Sequence, residues 1–209
     1  METRTQYYIL FCFAQVCGIV SVILLGTFFG TNFSLNWSNS SKTFVHGFVM
    51  FLGLVYLQGT SISLFRVLNS IEKKYVKIGH IALHTVTFAM NIIGLVAIFD
   101  RGIDFSSSLH AWIGLITVIL FSLQGVLGFL GYFYPKASED IRKTMMPYHR
   151  NFGLAIFSMA LINSLIGLNL FSVGDPPQVV WTGLLAILYG IFIFISVKAS
   201  QFRRDNIYD

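Results

Sequence analysis

Apolar residues in this chain run for about twenty positions at a time, and the polar residues collect in short stretches between the runs. At about 1.5 Å of rise per residue, a helix of roughly twenty apolar residues spans a hydrocarbon layer about 30 Å thick. Six such runs are read, at about 7–29, 44–66, 78–99, 110–133, 149–171 and 179–198. They predict an all-α membrane protein of six transmembrane helices, a single domain over 1–209, with short tails and no separate soluble domain.

Composition agrees, with 55% hydrophobic and 11% charged residues and a mean hydropathy of +0.72. So few charges cannot solvate a globular surface of this size. The chain contains fourteen Lys and Arg and carries a formal charge of +5. Arg4, Arg66, Lys73, Lys74, Lys77, Lys136, Arg142, Lys143, Arg150, Lys198, Arg203 and Arg204 fall on one side of the predicted bilayer, and only Lys42 and Arg101 on the other. By the positive-inside rule both termini are expected in the cytosol. The charge therefore reflects topology, and nucleic acid is not an expected partner.

The first outer loop carries three N-glycosylation sequons, at Asn32, Asn36 and Asn39. If used, they imply an endomembrane or plasma membrane of a eukaryote; Asn39 and Asn36 are close to the predicted membrane. The first run follows a barely basic segment and precedes no small-residue cleavage site, so it is expected to be a retained helix. Cys12 and Cys17 fall inside it and are expected to be reduced packing residues.

Four of the five histidines fall one each at the start of four successive spans. Ionisable groups in a membrane are costly and mark function. With alternating span directions, His46 and His110 share the outer level, and His80 and His149 the inner one. Two imidazoles facing each other across a bundle can clamp a haem. Phe99, nineteen residues beyond His80, sets the two ends of that span roughly 28 Å apart, and two irons are expected somewhat closer. Interfacial histidines bonded to carbonyls or headgroups are the plain alternative. Zinc or non-haem iron needs three or four ligands at one level, often with carboxylates or cysteines, and neither level offers them. His84, one turn from His80, is open to ligation on spacing alone.

The segments VHGFVMFLGLV (45–55) with LQG (57–59), KIGHIAL (77–83), GLVAIFD (94–100), SLHAWIGL (108–115), LFSLQGVLGF (120–129) and MPYHRNFG (146–153) together resemble the cytochrome b561 family of di-haem transmembrane electron carriers. The resemblance runs from about His46 to about Gly167. It implies a haem-binding core of spans two to five, about 44–171, holding two b-type haems. His46 then pairs with His110, and His80 with His149; the lysine three residues before its ligand favours His80 over His84, which becomes a supporting histidine. Activity by resemblance is electron transfer from cytosolic ascorbate to a non-cytosolic acceptor, monodehydroascorbate or a ferric chelate. Arg66, Lys73, Lys77 and Arg142 resemble the family's ascorbate cluster, while Lys74 and Lys143 read as surface charge. The alternatives are a b-type membrane anchor exchanging electrons with quinol and a partner protein, and a haem-free scaffold. A homodimer is left open.

The loop at 100–108 departs from the family pattern: it is short, lacks a histidine after Phe99-Asp100, and has Ser107 in place of a tyrosine. Gly47 replaces the usual proline after the first ligand. Gly53, Gly59, Gly94, Gly114, Gly125, Gly128 and Gly153 are expected to allow close approach of helices or of a flat macrocycle. Pro147 is expected to open span five, and Gln58 and Gln124 to hydrogen-bond between helices.

Overall fold

A computed structural model describes residues 2–32, 36–105, 108–171 and 176–199, with the side chains of 2–4 and 32 left out. The described residues form six long helices: α1 Glu2–Asn32, α2 Asn39–Val67, α3 Lys73–Arg101, α4 Leu109–Tyr132, α5 Glu139–Asn169 and α6 Pro177–Lys198. All six are long and apolar enough to cross a membrane. This is the multi-pass, all-helical architecture that the hydropathy pattern predicts.

Helix ends follow local chemistry. Ser38 and Ser108 cap α2 and α4, each accepting the backbone N–H three residues on, which satisfies a donor the helix leaves open. Gly102, with φ of 91°, ends α3 in a conformation that a Cβ would strain. One expectation is corrected: Pro147 lies inside α5 and does not open it. The helix starts eight residues earlier, where Ser138 precedes Glu139 and Asp140, and acidic residues favour a helix N-terminus. The ring costs one intrahelical bond, and the helix continues through it.

Helix α1 packs most extensively on α6, α2 on α3, and α4 on α5. The main apolar core joins α1, α2, α5 and α6 through Leu25, Phe51, Val55, Phe157, Tyr189 and Ile193. Cys17 belongs to this core, and both cysteines are free. On the other side α4 shows an exposed stripe, Ile116, Ile119, Leu120, Leu123, Val126, Leu127 and Leu130. That helical spacing suits contact with acyl chains.

Within α2, residues Phe51–Leu57 form a π-helix. The Gln58 N–H bonds the Gly53 carbonyl, five residues back. Wider turns of this kind disrupt the regular ladder, and an unpaired carbonyl at membrane depth is costly. The Tyr56 carbonyl accepts from the Tyr189 hydroxyl of α6 at 2.7 Å. Gly59 makes room for that phenol, since a Cβ there would stand 2.5 Å from Tyr189 Oη.

Candidate functional site

Pairs α2/α3 and α4/α5 face each other, and the four span-start histidines lie between them. At one level the His46 and His110 ring centroids are 6.1 Å apart. At the other, His80 and His149 are 6.5 Å apart. A metal with bonds of about 2 Å to two imidazole nitrogens, plus about 1 Å from each nitrogen to its ring centre, would set the two rings about 6 Å apart. The residues present therefore fit a metal-bearing group that the two imidazoles would hold between them. Each pair borders a cavity, of about 520 Å³ at the His80/His149 level and about 500 Å³ at the His46/His110 level.

Neighbouring backbone fixes three of the rings. His46 Nδ1 lies 3.0 Å from the Gly94 carbonyl, His80 Nδ1 3.1 Å from the Ser61 carbonyl, and His110 Nδ1 3.0 Å from the Asn163 carbonyl. A carbonyl only accepts, so each Nδ1 carries the proton and each Nε2 keeps its lone pair. His149 differs: its Nδ1 faces Gln124 Nε2 at 3.0 Å, and that amide also donates to the His149 carbonyl at 2.6 Å.

The contacts are reciprocal within each helix pair. Helix α2 supplies His46 and braces His80, while α3 supplies His80 and braces His46. Helices α4 and α5 exchange His110 and His149 in the same way. Gly94 follows His80, and Asn163 follows His149, by fourteen residues, which sets the levels roughly 21 Å apart. The Phe99-based figure of roughly 28 Å measures the whole span, whereas His46 meets α3 one to two turns short of its end. On α2 the corresponding spacing, His46 to Ser61, is fifteen residues. The π-helix between them absorbs the extra residue and brings the Ser61 carbonyl, not that of Thr60, to His80.

Glycines seat two rings. A Cβ at Gly128 would stand 2.9 Å from His149 Cε1, and one at Gly167 would stand 2.7 Å from His110 Cε1. Gln124, Gly128 and Tyr132, spaced by four, form the face of α4 that receives His149, with the Tyr132 ring 5.2 Å from the imidazole. Gly125 meets nothing within 4 Å and lines the cavity, so it serves no helix contact.

Arg66, Lys73, Lys77 and Arg142, distant in sequence, all line the His80/His149 cavity. Arg150 and Tyr132, which sequence alone does not single out for the site, line it too. Proximity to His149 in sequence was the available signal for Arg150; the four-residue spacing from Gln124 and Gly128 was the signal for Tyr132. None of the described lining residues is acidic. The Tyr132 hydroxyl and Arg142 Nε are buried without a hydrogen-bond partner, and Arg66 Nη2 donates to the Val197 carbonyl at 2.6 Å. Lys143 instead pairs with Glu139, and Lys74 with Glu72, outside the cavity lining.

His84 also lines this cavity, its ring edge-on to His80 at 4.4 Å and 5.4 Å from Phe121. Gln124 bonds between helices as expected, whereas Gln58 Oε1 is buried without a partner. Among the described residues no three or more His, Cys, Asp or Glu side chains form a metal cluster.

Among the described residues the opposite cavity is lined by one cation and one acid, Arg101 and Asp104, with Thr43 and Ser108. Beside it, Lys42 pairs with Asp100 at 2.8 Å, and the Trp37 indole donates to the same carboxylate at 2.7 Å. Asn36 is exposed and Asn39 is the first residue of α2. The Asn32 side chain, Ser34, Ser107, Arg203 and Arg204 lie outside the described residues.

Two histidine pairs stacked in one four-helix core accord with what the sequence matches. Residues 45–172 match eukaryotic cytochrome b561. The chain belongs to this family. Similar b561 relatives include the transmembrane ascorbate-dependent reductase CYB561 of Sus scrofa, 32% identical over 95% of this chain and 84% of that protein. The plasma membrane ascorbate-dependent reductase CYBRD1 of Xenopus tropicalis is 31% identical, covering 90% and 76%. The ascorbate-specific transmembrane electron transporter 2 of Zea mays is 27% identical, covering 88% and 85%. These b561 matches extend beyond the four-helix core to include the flanking helices.

Proposed function

We propose that this protein is a transmembrane oxidoreductase that moves single electrons from ascorbate at its cation-lined end to an acceptor at the other end. Two b-type haems are its prosthetic groups. The acceptor is monodehydroascorbate or a ferric chelate. The observation that carries the reading is the pair of cavities, each bordered by two imidazoles about 6 Å apart, of which, among the described residues, one alone is lined by clustered cations. The names of the b561 relatives support ascorbate as donor.

His80 and His149 would hold the inner haem, and His46 and His110 the outer one. Bound haem supplies a one-electron Fe(III)/Fe(II) couple at each level. Arg66, Lys73, Lys77 and Arg142 attract and orient the ascorbate anion, helped by Arg150 and the unpartnered Tyr132 hydroxyl. The apolar lining supplied by Ile62, Phe65, Ile81 and Phe88 excludes water from the inner pair. Ascorbate gives up one electron and releases a proton to the aqueous phase at that mouth. The excess of basic residues on this side supports a cytosolic position for this end and for both termini by the positive-inside rule.

A visible spectrum of detergent-purified protein, with haem stoichiometry, tests the reading before and after ascorbate and then dithionite. Near two b-type haems per chain with rapid ascorbate reduction is the expected result. Haems reduced only by dithionite would reject ascorbate as donor, and well-folded protein without haem would reject the redox function.

A further inference from the structure

The bracing of His149 separates it from the other three histidines. Gly94, Ser61 and Asn163 each present a backbone carbonyl to Nδ1; at His80 the Ser61 hydroxyl also lies 3.0 Å from Nδ1, but it donates to the His80 carbonyl, and the Ser61 carbonyl remains the ring's acceptor. At His149 the facing group is a side-chain amide, and an amide has two settings. With its nitrogen toward the ring, as here, Nδ1 accepts and the ring proton sits on Nε2, on the side where a metal would bind. Turned by 180°, the amide presents Oε1, accepts Nδ1–H, and leaves the Nε2 lone pair open, while giving up its bond to the His149 carbonyl.

We infer that Gln124 is a positioning residue that selects the tautomer of His149 and thereby makes the inner haem site the adjustable one of the two. The inference rests on the di-haem reading above. Its surroundings support it. Gly128, one turn on, seats the same ring without a side chain of its own, and the Tyr132 ring lies 5.2 Å from it. The imidazole is thus held in place by α4 while its proton is set by one amide. A strong Nδ1–H acceptor makes the imidazole a better donor and stabilises ferric iron; loss of the partner does the reverse.

The test uses the full-length protein, wild type and the variants Gln124→Glu and Gln124→Leu. Each haem is titrated potentiometrically, and the ferric low-spin EPR signals are recorded. Ionised glutamate, nearly the same shape, accepts and cannot donate, so it fixes the open setting; leucine removes both settings. The expected order of inner-haem midpoints is Glu lowest, wild type between, Leu highest. The ends should differ by at least tenfold in the ferric/ferrous equilibrium, about 59 mV for one electron. The outer haem should be unchanged throughout. Should Leu lose the inner haem altogether, the Glu shift against wild type still decides. Equal inner midpoints and EPR signals in Glu and wild type would overturn the assignment, as would equal shifts of both haems. Wild-type protein without haem would overturn the functional reading itself, a result distinguishable from either.

Discussion

The two ends of the four-helix core hold nearly the same unit in different surroundings. Each is a pair of imidazoles from two helices that run in the same direction, 6.1 Å apart at one end and 6.5 Å at the other. The mouths differ. At the His80/His149 end, Arg66, Lys73, Lys77, Arg142 and Arg150 converge with no acid among the described lining residues. At the His46/His110 end, Arg101 is accompanied by Asp104, and Lys42 is paired to Asp100. The reciprocal bracing sets a common scaffold, so specificity must come from the mouths. One presents clustered cations that would attract an anion, and the described residues of the other carry little net charge with which to select one.

The strongest way to break this comparison is to remove one imidazole at a time. His80→Ala and His149→Ala should each cost one haem per chain, and with it reduction by ascorbate. His46→Ala and His110→Ala should cost the other haem and leave the ascorbate-reducible signal. Haem stoichiometry with redox titration reads both, and loss of both haems from any single folded variant would overturn the pairing. Next in size is charge reversal at the inner mouth. Hydrogen bonds to charged groups contribute about 1.5–3 kcal/mol, so Arg142→Glu should slow reduction by ascorbate roughly 10- to 100-fold. Reduction by dithionite should change little by comparison, and raising salt should narrow the wild-type advantage. Stopped-flow reduction at two ionic strengths checks it.

The outer mouth should respond weakly. Arg101→Ala should slow reoxidation by an anionic acceptor and Asp104→Ala should speed it, each a few-fold, in line with about 0.2–1 kcal/mol for an exposed charge. Neither should alter reduction by ascorbate. A tenfold or larger effect at Arg101 would show that the outer mouth selects anions as strongly as the inner one does.

The six helices were legible because hydropathy over twenty residues is a summed signal, insensitive to any one position. The histidine pairs were legible because depth follows from position along a span. What escaped was whatever depends on rotation about a helix axis or on a single hydrogen bond. Pro147 suggested a helix start because proline suits a first turn, yet Ser138 with Glu139 and Asp140 makes a better one upstream. Tyr132 and Arg150 were not legible because only folding shows which face of α4 receives His149 and which cations turn into the cavity. The π-helix had no local signature in FLGLVYL. Its trace was the unequal spacing, fifteen residues on α2 against fourteen on the others, and that becomes readable only once the bracing carbonyls are known.

That π-helix offers the smallest and sharpest test, because it ties the inner imidazole to the far side of the molecule. Tyr189 of α6 donates to the Tyr56 carbonyl at 2.7 Å and contacts Thr60 Oγ1 at 3.2 Å. Tyr189→Phe leaves that carbonyl without its donor in a buried setting, a cost of about 1–3 kcal/mol. This should lower the thermal midpoint in detergent by roughly 3–10 °C. If the segment relieves the loss by returning to regular α-helix, every residue after it rotates by one position, and the Ser61 carbonyl leaves His80 Nδ1. His46 precedes the π-helix, and its brace at Gly94 is on α3, so the outer pair has no reason to respond. The expected outcome is therefore a modest loss of stability with an altered ferric EPR signal at the inner haem alone. A destabilised protein with both haem signals unchanged would show that the π-helix holds its register without Tyr189, and that the inner pair is as self-contained as the outer.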